Sequence, residues 1–181
     1  MPRDVTNEPI PARTGVPLLR KPSAMDGAEI WDLVRDCSPL DENSMYCNLI
    51  QADHFRDTCV VAELDGDIVG WISGHMVPGK EEFFVWQVAV SEKARGLGLG
   101  KKMLKHLIAR DVCADAKALK TTITRDNGAS WGLFRSFARS IGGELTDEPH
   151  FKRDTHFGGQ HDTEHMVTIR LPEEDDWAKA A

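Results

Sequence analysis

The segment Arg95-Gly96-Leu97-Gly98-Leu99-Gly100-Lys101 constrains the fold of this chain more than any other. It follows the apolar run FFVWQVAV at 83–90, which is typical of a buried central strand. Apolar residues at helical spacing then follow at Leu99, Met103, Leu104, Leu107, Ile108 and Val112. Glycines let the backbone approach a ligand closely, and the N–H groups of a helix N-terminus attract anions. The turn therefore predicts a diphosphate site between a strand and a helix.

Two other phosphate-binding glycine patterns do not fit this turn. The dinucleotide fingerprint requires GxGxxG, and the P-loop requires GxxxxGK followed by Ser or Thr. The pattern here is RxxGxG, formed by Arg95, Gly98 and Gly100. A glycine turn beside a surface arginine is the simpler alternative.

The remaining sequence predicts one α/β domain over residues 16–171. Strands are expected at 16–20, 58–64, 67–76, 83–90, 119–124 and 164–171, and helices at 25–37, 44–53, 99–112 and 126–140. Asp65-Gly66 predicts a hairpin turn, so three of the strands should form a meander. Residues 1–15 are expected to be a flexible arm, and residues 172–181 an acidic tail.

A polar stretch at 146–163 is expected to be a long loop, because it lacks the apolar alternation of a strand. It contains His150, His156 and His161. Long loops inside compact domains are often functional. The histidines are therefore candidates, although exposed loop histidines are usually bystanders.

Length and composition exclude several classes of protein. The 181 residues suit one domain, and 22 basic against 29 acidic residues give a net charge of −7, which argues against a nucleic-acid partner. The four cysteines form no CxxC pair, so neither a disulfide framework nor a zinc site is expected. No apolar stretch approaches the roughly 20 residues of a membrane span. We therefore expect a cytoplasmic protein that does not bind membranes.

The RxxGxG turn, together with Asn127, Ala129, Ser130, Leu133 and Phe134 at NxxAxxLY spacing, resembles the Gcn5-related N-acetyltransferase (GNAT) superfamily. The resemblance covers Leu18 to Leu171. It implies a mixed, twisted sheet of six or seven strands flanked by about four helices, with acetyl-CoA as cosubstrate. The cofactor-binding residues implied are Val88, Ala89, Val90, Arg95, Gly96, Gly98, Leu99, Gly100, Lys101, Asn127 and Ser130.

The same resemblance implies specific roles for these residues. The turn binds the diphosphate, and strand 88–90 binds the pantetheine amides and polarises the thioester carbonyl through a main-chain N–H. Phe134 stands where many members have a tyrosine that protonates the departing thiolate. Phenylalanine has no proton to donate, so another acid is expected.

The segment CSPLDENSMYCNL at 37–49 is similar to SPLDxNSxY in one branch of that family, the L-2,4-diaminobutyrate acetyltransferases. TCVVAE, FVWQVAV and TRDNGASWGLF continue the similarity in the same order. The resemblance implies direct acetyl transfer, in a ternary complex, to the γ-amine of L-2,4-diaminobutyrate. The product belongs to ectoine biosynthesis and osmoadaptation, and a homodimer is expected.

An acceptor with two ammonium groups requires carboxylates and hydroxyls in its site. The candidate substrate-binding residues are Asp41, Glu42, Ser44, Trp86 and Glu164. Two of them also have a structural interpretation: Asp41 fits a turn or helix cap, and the Trp86 ring fits plain core packing. The family resemblance favours the functional interpretation for Asp41.

An aliphatic ammonium has a pKa near ~10.4, so transfer requires a group that removes a proton. His161 is a candidate acceptor, and Glu82 is a candidate water-linked base or a solvated carboxylate at a strand end. Tyr46 is the chain's single tyrosine and therefore the candidate acid. Its alternative is a packed aromatic ring with a surface hydroxyl.

Two alternatives remain open. The first is acetylation of another small amine, such as a polyamine, an aminoglycoside or a peptide N-terminus. The second is a non-catalytic acyl-CoA sensor, which is a different class of function. A route through an acyl-cysteine is not expected, since no cysteine lies in a basic sequence context. No metal is expected, because His150, His156, His161 and His165 match no standard ligand spacing and thioester aminolysis needs none.

Overall fold

The computed structural model describes residues 15–37 and 40–172, which form one seven-stranded sheet and four α-helices. The strands are β1 (Leu18–Arg20), β2 (Val60–Leu64), β3 (Asp67–Met76), β4 (Glu82–Val90), β5 (Ala118–Thr124), β6 (Leu145–Phe151) and β7 (Glu164–Arg170). The helices are α1 (Gly27–Asp36), α2 (Met45–His54), α3 (Leu99–Ile108) and α4 (Gly128–Ile141). The predicted α/β fold is confirmed. The expected arm and tail lie, except for residues 15 and 172, outside the described residues.

The strands follow the order β1-β2-β3-β4-β5-β7-β6 in the sheet. Every neighbouring pair is antiparallel except β4 and β5, which are parallel. Asp65 and Gly66 adopt positive φ angles of 54° and 88° between β2 and β3. Two successive positive φ values are what a tight hairpin turn requires, and the Asp-Gly pair supplies them. The predicted hairpin and meander are confirmed.

Strands β4 and β5 pair over only three residues and then diverge. Glu82, Phe83 and Phe84 face 118–120 of β5. From there to Val90, β4 keeps its pairing with β3 but has none with β5. One edge of β4 is therefore open beside a gap in the sheet.

A β-bulge lies in β4 at the start of this gap. Ser73 of β3 faces Gln87, and the next residue, Gly74, faces Val85, so that Trp86 has no opposite residue. An extra residue in one strand reverses the faces on which the following side chains lie. The buried side chains of β4 therefore change sides at Trp86.

The two hydrophobic cores show this change directly. Phe83 and Val85 pack in the core under α3 and α4, whereas Ala89 packs in the core under α1 and α2. The helices supply their apolar faces at helical spacing, with Ile30, Leu33 and Val34 on α1 and Leu99, Met103, Leu104, Leu107, Ile108, Trp131, Phe134, Phe137, Ala138 and Ile141 on α3 and α4. The sheet is thus covered on both faces.

Two sequence-based predictions are wrong. Residues 146–163 are not wholly a loop, because β6 occupies 145–151 as an edge strand. Its side chains are almost all exposed, so no apolar alternation marks it, and Pro149 is tolerated at a sheet edge. Helix α3 ends at Ile108 rather than Val112, and a 3-10 turn follows at Asp111–Cys113. Among the described residues, no helix is long and apolar enough to cross a membrane.

Candidate active site

The gap between β4 and β5 forms a cleft of about 380 Å³. It is bounded by these two strands, the segment before α2, the start of α4 and the segment before β7. The lining residues are Leu40, Asp41, Asn43, Val85, Trp86, Gln87, Val88, Thr121, Thr122, Ile123, Asn127, Ser130, Phe134, Phe151, Phe157, His161 and Glu164. Most candidate acceptor residues are therefore brought to one place from distant parts of the chain.

Three charged or titratable side chains meet in this cleft. His161 Nε2 lies 3.7 Å from Asp41 Oδ2 and 3.9 Å from Glu164 Oε1. The Asp41 side chain is 90% exposed, whereas that of Glu164 is only 18% exposed. The two carboxylates thus flank one imidazole in very different solvent environments.

Glu164 is a buried carboxylate with unused hydrogen-bonding capacity. Its Oε2 atom is buried and has no hydrogen-bond partner among the described residues. Burial raises the pKa of this carboxyl, and nearby His161, followed by the side chain of Thr122, opposes that shift. Because a buried carboxylate oxygen without a partner is unfavourable, it provides a strong site for a cationic ligand.

His161 is oriented by the main chain. Its Nδ1 lies 2.7 Å from the carbonyl oxygen of Asp162, and since a carbonyl can only accept, Nδ1 donates. This hydrogen bond, followed by the nearby carboxylates of Glu164 and Asp41, raises the pKa of His161 above its usual 6.5. The imidazole is therefore a stronger base than a solvent-exposed histidine, with Nε2 directed towards the carboxylates.

The glycine-rich turn has the geometry expected of an anion site. Gly96 and Gly98 adopt φ angles of 78° and 68°, and Gly98 immediately precedes α3. A Cβ atom at either position would meet no other atom within 4 Å, so this side of the turn is open. Arg95 lies beside it and donates from Nε to the carbonyl oxygen of Val90 at 3.3 Å.

Three other predicted cofactor residues also serve the packing of α3. Leu99 is buried, and a Cβ at Gly100 would lie 3.1 Å from Leu133 of α4. Lys101 directs its Nζ to Ser136 Oγ at 3.5 Å. The first two can therefore offer a ligand only their main-chain groups.

Asn127 and Ser130 line the cleft and shape the start of α4. Asn127 Oδ1 accepts a hydrogen bond from the Ser130 backbone N–H at 3.0 Å, which caps the helix. Phe134 lies one turn further along and is buried at the cleft wall. At this position the cleft wall is therefore a hydrocarbon ring, which has no proton to donate.

Tyr46, Glu42 and Ser44 do not line the cleft. Tyr46 lies in the first turn of α2, with 72% of its surface exposed, and Glu42 is also exposed. Ser44 caps α2, since its Oγ accepts a hydrogen bond from the Cys47 backbone N–H at 3.1 Å. The hydroxyl of Ser44 thus has a structural partner in place of a ligand.

Glu82 lies in an adjoining groove of about 660 Å³. Its Oε1 is 2.9 Å from Lys120 Nζ, and Oε2 is 4.0 Å from Lys80 Nζ. The carboxylate is therefore held in an ion-pair cluster at the start of β4. Trp86, 54% exposed, is the residue of β4 that lines both this groove and the cleft.

Sequence analysis did not identify several residues that line the cleft. Asn43, Gln87, Thr121, Thr122, Phe151 and Phe157 all line it. Gln87 carried a usable signal, because it is a polar residue inside an apolar strand. The two phenylalanines carried a weaker one, as apolar residues within the polar stretch at 146–163.

The cysteines and metal-ligating side chains contribute little to the cleft chemistry. Burial raises the pKa of the Cys59 and Cys113 thiols to about 11 and also raises that of Cys37. These thiols are therefore poor nucleophiles at neutral pH. Within residues 15–37 and 40–172, no group of three or more His, Cys, Asp or Glu side chains is arranged to hold a metal ion.

Comparison with protein families and curated sequences gives a consistent result. The family model "Acetyltransferase (GNAT) family" matches residues 27–138. The L-2,4-diaminobutyric acid acetyltransferase of Methylotuvimicrobium alcaliphilum is 44% identical over 163 residues, which cover 88% of this chain and 95% of that protein. The enzyme of the same name from Halomonas elongata is 46% identical over 153 residues, or 83% and 79% of the two chains.

Solved structures agree with the sequence comparisons. Diaminobutyrate acetyltransferase EctA from Paenibacillus lautus, in complex with its substrate L-2,4-diaminobutyric acid and coenzyme A, superposes with a TM-score of 0.81. It is 37% identical, and the match covers 86% of this chain and 95% of that one. Ard1 from Thermoplasma volcanium, 16% identical with a TM-score of 0.67 over 87% of this chain and all of that one, shares the fold alone.

Proposed function

Since the chain belongs to the acetyltransferase (GNAT) family and, within it, to the L-2,4-diaminobutyric acid acetyltransferases, we propose that it transfers the acetyl group of acetyl-CoA to the γ-amine of L-2,4-diaminobutyrate. The N4-acetyl product would enter ectoine biosynthesis. The observation that carries this proposal most directly is the buried, unpartnered carboxylate oxygen of Glu164 in the cleft between β4 and β5.

The open glycine turn and the open edge of β4 fit coenzyme A. The main-chain N–H groups around Gly96 and Gly98 bind the diphosphate, with Arg95 at its side. The backbone of 88–90 binds the pantetheine arm along the unpaired edge. A main-chain N–H of this strand polarises the thioester carbonyl, which stabilises the negative charge that develops on its oxygen.

The acidic side of the cleft fits the diamino acid. Glu164 and Asp41 bind the α-ammonium, and Trp86 forms part of the acceptor wall. His161, whose pKa is raised by the carbonyl of Asp162, accepts a proton from the γ-ammonium. The neutral amine then attacks the thioester carbon, the new C–N bond forms and the C–S bond breaks. The nitrogen releases its second proton as the amide forms, which balances the proton that the departing thiolate takes up.

The departing thiolate takes a proton, and Tyr46 is the donor that we propose. Support comes from the sequence, since Tyr46 is the single tyrosine. Phe134 stands at the cleft wall, in the position where the family resemblance implies a tyrosine. In this subunit the Tyr46 ring is outside the cleft lining, so its approach would involve a movement of α2 or a neighbouring subunit. Direct measurement of the Tyr46→Phe variant tests this role.

We also propose a homodimer that acts in the cytoplasm. The exposed aromatic side chains of Trp86 and Phe151, which both line the groove beside the cleft, support a second copy, because large apolar side chains favour burial. The four free cysteines suit a reducing compartment. Light scattering at several protein concentrations tests the dimer.

Release of the coenzyme A thiol tests the proposed reaction. We expect release with L-2,4-diaminobutyrate and acetylation at N4, identified by NMR of the product. Ornithine, one methylene longer, should be poorer by about 10–200-fold in kcat/KM. A polyamine, aminoglycoside or peptide that reacts faster than diaminobutyrate would overturn the assigned substrate, and coenzyme A binding without thiol release with any amine would indicate an acyl-CoA sensor.

A further inference from the structure

A buried glutamine connects the coenzyme A strand to the acceptor wall. Gln87 of β4 is 8% exposed, although the other residues of the strand from 83 to 90 are apolar. Its Nε2 donates to the main-chain carbonyl of Asp41 at 2.9 Å. Its Oε1 accepts from the Asn43 side-chain amide at 3.4 Å. Both polar atoms of the Gln87 amide therefore hydrogen-bond to one short segment, residues 40–44, which we name the acceptor loop.

The bulge at Trp86 makes this connection geometrically available. In a regular strand with no bulge, position 87 would continue the series of Phe83 and Val85 and face the core under α3 and α4. After the bulge, the side chain of Gln87 faces the α1 and α2 side, where the acceptor loop lies. The same irregularity therefore places Trp86 at the cleft and Gln87 under the loop.

Asp41 has few contacts of its own, although the N–H of Leu40 before it donates to the Cys37 carbonyl at 3.1 Å and the Leu40 side chain packs against a core. Its carboxylate is 90% exposed, and its ion-pair partner among the described residues is His161 at 3.7 Å. The far end of the loop is better held, because Trp31 Nε1 donates to the Asn43 carbonyl at 3.0 Å and Ser44 caps α2. The hydrogen bond from Gln87 is thus the contact that sets the backbone at Asp41 itself.

We infer that Gln87 is a positioning residue for the acceptor: it holds the main chain of Asp41 so that the carboxylate faces His161 and the incoming ammonium. This inference rests on the proposed function. Gln87 acts through Asp41 and is not itself a catalytic residue. Because it lies on β4, it also fixes the distance between the acceptor loop and the strand that binds coenzyme A.

The test compares Gln87→Leu with Gln51→Leu. Leucine keeps the approximate volume of glutamine but forms no hydrogen bond. Gln51 is another buried glutamine, on α2, whose amide oxygen accepts a hydrogen bond from Asn48 and which is not among the residues that line the cleft. The control therefore reports the general effect of losing a buried amide near the same helix.

We expect Gln87→Leu to raise the KM for diaminobutyrate by up to about fivefold, the most that an exposed ion pair such as that of Asp41 contributes. The KM for acetyl-CoA and the values for Gln51→Leu should change less than about twofold. In an Asp41→Asn background, Gln87→Leu should add almost nothing, because the group that it positions is gone. An equal, additive effect in that background would overturn the inference and point to direct contact between Gln87 and the substrate.

Hydrogen–deuterium exchange supplies a readout that does not depend on the substrate. Amides of the acceptor loop should exchange faster in Gln87→Leu and at the wild-type rate in Gln51→Leu. Unchanged exchange in Gln87→Leu would refute the positioning role even if the wild-type protein acetylates diaminobutyrate. Faster exchange with no diaminobutyrate turnover by the wild-type protein would instead refute the proposed function alone.

Discussion

Replacement of Glu164 by glutamine should weaken acceptor binding and stabilise the fold at the same time. The substitution keeps the shape of the side chain and removes its charge. A hydrogen bond to a charged group contributes about 1.5–3 kcal/mol, and each 1.36 kcal/mol is a factor of ten, so the KM for diaminobutyrate should rise about 10- to 150-fold. The KM for acetyl-CoA should be unchanged, because Glu164 lies on the acceptor side of the cleft.

The size of the expected rise in KM depends on how deeply the carboxylate is buried, and a variant of the exposed Asp41 tests this dependence. Its side chain is 90% exposed against 18% for Glu164, so solvent screens its attraction to an ammonium group. Asp41→Asn should therefore raise the same KM by no more than about fivefold. Asp154→Asn, which removes an exposed carboxylate outside the cleft lining, serves as the control.

The stability effect has the opposite sign. Burial raises the pKa of Glu164 in the folded protein, which means that its ionised form destabilises the fold. Glu164→Gln should raise the thermal midpoint near pH 8, and this gain should disappear in acid, where the carboxyl is protonated in both folded and unfolded chains. Steady-state kinetics and thermal unfolding across pH measure the two effects. A KM increase below twofold, or an equal increase for acetyl-CoA, would refute the assignment of Glu164 to the ammonium.

Three further variants test other parts of the site. Gly98→Asp should lower coenzyme A affinity at least tenfold in calorimetry, because the new side chain obstructs the diphosphate turn and adds a negative charge to it. The control is Gly79→Asp, at a similar φ of 73° in the turn between β3 and β4, which should keep wild-type affinity. Because the pKa of His161 is raised above its ordinary 6.5, the neutral imidazole forms only at higher pH, and kcat should rise as the pH passes through that raised pKa. His161→Asn should abolish this rise. A rise that persists in the variant would exclude His161 as the base. Tyr46→Phe should lower kcat about 10²–10⁴-fold with unchanged coenzyme A affinity, and full turnover would assign thiolate protonation to another group or to solvent.

Local sequence patterns predicted the parts of this fold that depend on local physics. The Asp65-Gly66 hairpin needs only two residues that tolerate positive φ, and the turn at 95–101 needs only glycines before an apolar helix. Strand β6 was missed because its pairing with β7 is a tertiary event, and an exposed edge strand leaves no apolar period. The bulge at Trp86 was missed for the same reason, since register is a property of two strands together.

The candidate site divides along a similar line. Asp41, His161 and Glu164 were predicted because ammonium chemistry and family resemblance both favour them, and the structure brings them together. The sequence did not indicate that the main contact of the Ser44 hydroxyl is the cap of α2. The burial of Glu164 could not be deduced from its neighbours along the chain. Burial depends on which segments of the folded chain cover a residue. Asp41 and Glu164 line the same cleft although they are more than 100 residues apart in the sequence.

The bulge gives β4 one residue more than a regular pairing with β3 needs. Deletion of Trp86 would therefore leave Gln87, Val88 and Ala89 opposite their present partners and on their present faces, because Val85 and Gln87 already lie on opposite sides of the sheet. Such a deletion would remove the indole ring from the cleft and leave both cores filled. An added residue at the same place would instead turn the later side chains to the opposite face and take Ala89 out of its core. In β4, a deletion at the bulge therefore tests the site, whereas an insertion tests the fold.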